Sequence, residues 1–96
     1  MDKENLPNYL LKILHSYIED NDIDVEVEVD INTRLIGTDS ILDSIGLVTF
    51  VVEVEQAILE DHSIDVELAS EKAMSRTTSP FISIKTLSKF ISEEFL

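Results

Sequence analysis

Apolar residues recur at helical intervals in three long stretches of the chain. Leu6, Leu10, Ile13, Leu14, Tyr17 and Ile18 share one face of a segment that opens near Leu6-Pro7 and runs to about Asp20; proline is tolerated in a first helical turn. Leu47, Val51, Val54 and Ile58 line the buried face of a second helix that ends between Glu60 and His62, with Thr49, Glu53, Gln56 and Glu60 on its polar side. Ile84, Leu87, Phe90, Ile91 and Phe95 form the stripe of a closing helix. Ser83 is placed to cap it, and Phe81 and Ile82 to pack back across its start. Between these, Asp65 is placed to cap a short helix through about Met74, with Val66, Leu68, Ala69 and Ala73 turned inward. A polar turn ending at Pro80 stops it.

One segment breaks the helical period. Asp24-Val25-Glu26-Val27-Glu28-Val29-Asp30-Ile31 alternates strictly, which alone is a strand signal. A lone strand leaves its backbone groups unpaired, and no second alternating run of similar length exists to partner it. An extended loop is expected, valines inward and acids outward; a short pairing with another loop or another copy of the chain is the alternative. The same region fails as an EF-hand. Asp20, Asp22 and Asp24 fit the first ligand positions, but Val25 stands at the glycine position and Ile31 at the closing glutamate. Clustered, solvated acids are the favoured reading, with weak divalent-ion binding as the other.

Ninety-six residues make a single domain over 1–96, without linker or repeat. The pattern predicts an all-α fold, a compact bundle of four helices with a long first loop and a short third helix. Seven basic and 20 acidic residues leave a formal charge of −13. Such a field repels nucleic acid and anionic membranes, and steers the chain toward basic patches on protein partners. The absence of cysteine removes disulfides, Cys-based metal sites and a thiol nucleophile. No secretory signal is read at Met1-Asp2-Lys3-Glu4-Asn5, and no apolar run is long enough to span a membrane, so a cytoplasmic protein is expected.

Asp-Ser-Ile occurs twice, as Asp39-Ser40-Ile41 and Asp43-Ser44-Ile45. Ser44 sits before the most apolar helix, as a good N-cap residue would, at a position where backbone N–H groups tolerate an anion. Capping alone is the bland reading of that serine. A third row on the same helix, Ile45, Val48 and Val52 with Glu55 and Leu59 continuing it, is more apolar than a solvent-facing row should be. As helix geometry it either widens the core stripe or faces outward.

The run from Leu42 to Glu55 resembles the attachment site of acyl and peptidyl carrier proteins, on Asp43-Ser44-Ile45 with Val48 four residues after the serine. The family's fold is the four-helix bundle of the acyl-carrier type, and the resemblance extends from the first helix to the last. It implies a 4'-phosphopantetheine arm on Ser44, with Asp43 helping the phosphopantetheinyl transferase engage. Ile45, Val48 and Val52, flanked by Glu53 and Glu55, would form the face read by partner enzymes, and Leu35, Ile36 and Leu42 the plugs of the long loop. Gly37-Thr38-Asp39-Ser40-Ile41 also reads like the family signature. Ser40 as origin puts Ser44 and Gly46 where the docking row should be apolar, so Ser44 is favoured. Gly46 then leaves room around the arm.

The resemblance further implies a monomeric carrier of acyl or aminoacyl thioesters in fatty-acid, polyketide or nonribosomal-peptide synthesis. An acyl- or aminoacyl-loading ligase and downstream synthases would be its partners, and it would perform no bond chemistry of its own. Ile45 in place of the usual leucine, Thr49 in place of a common acid, and the acidic insertion in the first loop depart from the family pattern. An unmodified adaptor of the same fold is the alternative. An enzyme is not expected: His15 and His62 each stand alone, and no Ser-His-acid or metal constellation can be assembled.

Overall fold

The structure is a computed structural model that describes residues 3–25, 28–36, 40–68 and 79–96, with the side chain of Ser44 outside that description. The described residues form three helices and no strand: α1 (Leu6–Asp20), α2 (Ser44–His62) and α3 (Ile84–Phe95). All three match the segments expected from apolar spacing.

Local chemistry sets their ends. Pro7 lies in the first turn of α1, where its missing N–H costs nothing. The helix stops in a Schellman turn: Ile23 N–H donates to Ile18 O at 3.0 Å and Asp22 N–H to Glu19 O at 3.3 Å, with Asp22 at φ 51°. Asn21 reinforces it by donating Nδ2–H to Tyr17 O at 2.9 Å. Ser63 ends α2 in the left-handed region at φ 57°. At α3, Ser83 Oγ accepts from Thr86 N–H while Thr86 Oγ1 accepts from Ser83 N–H, a reciprocal box.

Helix α1 packs against both α2 and α3. Its Leu6, Leu10, Leu14 and Tyr17 meet Phe50, Val51, Val54 and Ile58 of α2 and Ile84, Leu87, Phe90 and Ile91 of α3 in one core. The connections add Val29, Leu35, Leu42, Val66 and Leu68 to it.

Among its described residues, 24–25 and 28–31, the alternating segment forms no strand. Val29 is buried and Val25 half-buried, whereas Asp24, Glu28 and Asp30 are exposed; residues 26–27 lie outside the description. The loop finds its backbone partners at the start of α3. Leu35 N–H donates to Ile82 O at 2.7 Å, and Lys85 N–H donates to Ile31 O at 2.9 Å. Of the residues expected as plugs, Leu35 and Leu42 are buried and Ile36 is half-buried.

The expected third helix is corrected at its start. Residues 63–68 are irregular, so no helix follows Asp65 within them, and the remainder, with Ala69 and Ala73, lies outside the described residues. Val66 and Leu68 are nevertheless buried. Their burial is held by a contact remote in sequence, since Glu55 Oε2 accepts from Leu68 N–H at 3.0 Å.

Candidate functional site

The N-terminus of α2 is capped by Asp43, not by Ser44. Asp43 has extended backbone, and its Oδ1 accepts from Gly46 N–H at 2.6 Å. Both residue types are good caps; the exit of the loop places Asp43 at the cap and Ser44 at the first helical position. The first intrahelical bond runs from Leu47 N–H to Asp43 O. The N–H groups of residues 44 and 45 precede it, so the positive end of α2 lies at residue 44.

Gly46 has a structural reason to be glycine. A Cβ there would stand 3.0 Å from Asp43 Oδ1 and 3.6 Å from the Tyr17 hydroxyl.

Ser40 is placed differently. It is half-buried in the loop four residues ahead of α2, and its hydroxyl donates to Leu42 O at 3.0 Å.

The third row of α2 faces outward. Ile45 is 79% exposed, Val48 64%, Val52 43% and Leu59 52%. It does not widen the core, because Phe50, Val51, Val54 and Ile58 already fill the side of α2 that meets α1 and its neighbours. Leu47 is half-buried and, with Val48, Val51, Val52, Glu55 and Phe81, lines a shallow apolar groove of about 160 Å³. Thr49 and Glu53 are exposed, as expected of the polar side. Glu55 is half-buried, with its carboxylate on the Leu68 amide.

A second, larger cavity opens on the other flank of residue 44. About 430 Å³ in volume, it is lined by Tyr17, Asn21 and Ile23 from the end of α1, by Ile41, Leu42 and Asp43, and by Ile45, Gly46 and Thr49. Sequence reading missed this site. Tyr17 read only as part of the apolar face of the first helix, and nothing in the spacing shows that the turn after α1 and the start of α2 border a common space.

Both histidines are exposed. His62 packs edge-on against Tyr9, ring centroids 5.3 Å apart, and Tyr9 donates its hydroxyl to Asp61 Oδ2 at 2.8 Å. Partial burial, then the hydrogen bond and charge of Asp61, push the Tyr9 phenol up to about 12. Among the described residues, no group of three or more His, Asp or Glu side chains converges as a metal site, and no helix is long and apolar enough to cross a membrane. No protein-family model matches the sequence, and comparison with curated proteins and with solved structures returns no match.

Proposed function

We propose that this chain is a carrier protein that bears a 4'-phosphopantetheine arm on Ser44 and presents acyl or aminoacyl groups to partner enzymes. The observation that carries the reading is the junction at residue 44. A serine opens α2 at its positive end, and the row Ile45, Val48 and Val52 runs exposed along the helix from that point. The likeness of Leu42 to Glu55 to the carrier family's attachment site supports it. Ser40, half-buried with its hydroxyl on Leu42 O, is the poorer acceptor.

The residues present fit the group. A phosphodiester at residue 44 would lie beside the N–H groups of residues 44 and 45, and open space flanks the position. Attachment joins the Ser44 oxygen to the phosphorus of coenzyme A. The phosphoanhydride bond breaks, the adenosine bisphosphate half leaves, and the hydroxyl proton passes to a base of the phosphopantetheinyl transferase. Asp43 is exposed at this junction for the transferase to engage, with Oδ1 already on Gly46. When bound, the arm supplies a thiol that this cysteine-free chain lacks, on which cargo is held as a thioester.

The chain's own part is presentation, with no bond chemistry of its own. Its charge of −13 favours loading ligases and synthases with basic docking patches. The apolar row and Glu53 give those patches a surface to meet. The fold belonging to this reading is the carrier family's four-helix bundle, with a long first loop and a short helix between α2 and α3, in a monomeric cytoplasmic protein. An unmodified adaptor would use the same exposed row.

Intact mass after incubation with coenzyme A and a promiscuous transferase tests the reading, with fragment mapping of the modified peptide. Addition at Ser44 is the expected result. A chain that stays at its unmodified mass, or that is modified at Ser40, overturns it.

A further inference from the structure

The cavity beside residue 44 has features that the attachment reading does not use. Tyr17 is largely buried and lines this space; its hydroxyl, 3.6 Å from where a Cβ on Gly46 would stand, makes no hydrogen bond among the described residues and is reached by solvent. Asn21 is fixed in the same wall by the bond from its Nδ2 to Tyr17 O, which leaves Oδ1 as its remaining acceptor. Ile23, brought in by the Schellman turn, stands with Ile41, Leu42 and Ile45 as the apolar part of the lining.

We infer that this cavity holds the pantetheine portion of the arm against the body of the protein, with the Tyr17 hydroxyl donating to an amide carbonyl. The inference rests on the carrier reading above. Beyond its phosphate the pantetheine chain is uncharged, with two amides separated by short apolar stretches. A lining that mixes a phenol, a carboxamide and three isoleucines matches that alternation. Asp43 at the rim and the chain's overall charge disfavour an anionic occupant. The volume lies in the range of small-molecule sites. The smaller groove on the other flank is lined by aliphatic and phenylalanine side chains and Glu55, and has no hydroxyl or carboxamide to receive an amide chain. In sequence, residue 44 lies between Asp43 and Ile45, both of which line the cavity.

Amide chemical-shift mapping by NMR tests this on two samples. One is the full chain before and after modification; the other is Ser44→Ala titrated with free pantetheine. Ser44→Ala keeps the helix start, because Asp43 is the cap. The expected result is perturbation of Asn21, Ile23, Ile41 and Thr49 in both samples, saturable in the titration. Tyr17→Phe, which retains the ring packed on Phe50, should weaken the free-ligand Kd by about threefold to tenfold. Mass measurement on the first sample reports attachment separately. A chain that is never modified sinks the carrier reading and this inference with it. A modified chain whose shifts are confined to residues 43–46, or to Val48, Val52 and Phe81, sinks the cavity alone.

Discussion

Gly46 donates its N–H to Asp43 Oδ1 at 2.6 Å, and any Cβ on Gly46 would stand 3.0 Å from that same oxygen. The two residues are therefore coupled: a methyl group on residue 46 would make the capping carboxylate give by a few tenths of an ångström. Asp43→Ala should cost about 1 kcal/mol. In that background, Gly46→Ala should stabilise by about 0.5–1 kcal/mol, the usual gain of alanine over glycine in a helix. In the wild-type chain the gain should vanish or reverse, because the methyl group crowds the capping oxygen. A double-mutant cycle by urea denaturation measures the difference.

The Tyr9–Asp61 bond joins the first turns of α1 to the end of α2 and carries its own pH signature. The folded phenol titrates at about 12 against an ordinary value of 10. Neutral Tyr9 is the hydrogen-bonded form, so its contribution is complete below pH 10 and is lost as pH rises toward 12. The stability difference between wild type and Tyr9→Phe should be constant through neutral pH and disappear across that alkaline window. Solvent reaches the pair, so the difference should be modest.

Glu55 separates structural from docking roles among the acids of α2. Glu55→Ala removes the acceptor of the Leu68 amide and should cost about 1–2 kcal/mol. Hydrogen exchange at Leu68 should rise with it. Glu53→Ala, on the exposed side, should stay within about 0.5 kcal/mol of wild type.

Two valines of α2, one exposed and one buried, should respond in opposite ways to a charge. Val48→Asp, at a position 64% exposed, should leave stability within about 0.5 kcal/mol while weakening partner binding measured by calorimetry. Val54→Asp, at a fully buried position, should unfold the chain, read by circular dichroism.

Much of this was legible in the sequence, for identifiable reasons. Helix extents followed from apolar spacing, and the described residues of the alternating segment form no strand, as the lack of a partner run implied. The exposed row was visible only as an excess of apolar residues on α2. Its direction was settled by Phe50, which with Val51, Val54 and Ile58 fills the core side. What failed were contests between neighbours and contacts across the chain. Asp43 and Ser44 are equally good caps, and the loop's exit decides between them. Residues 63–68 satisfy part of their backbone through Glu55, a bond over 13 positions that local capping signals at Asp65 do not reveal. The cavity at Tyr17 escaped for the same reason, being assembled from the end of one helix and the beginning of the next.

The pair of bonds tying residues 31 and 35 to residues 85 and 82 has a consequence for how the chain is made. On the ribosome, the first connection emerges long before the segment that will satisfy its backbone, so it must wait in water until α3 arrives. Loop closure over some fifty positions makes this joint a late step in folding and slower than helix formation itself. A nascent chain released before α3 is made would leave Leu35 N–H and Ile31 O without these partners.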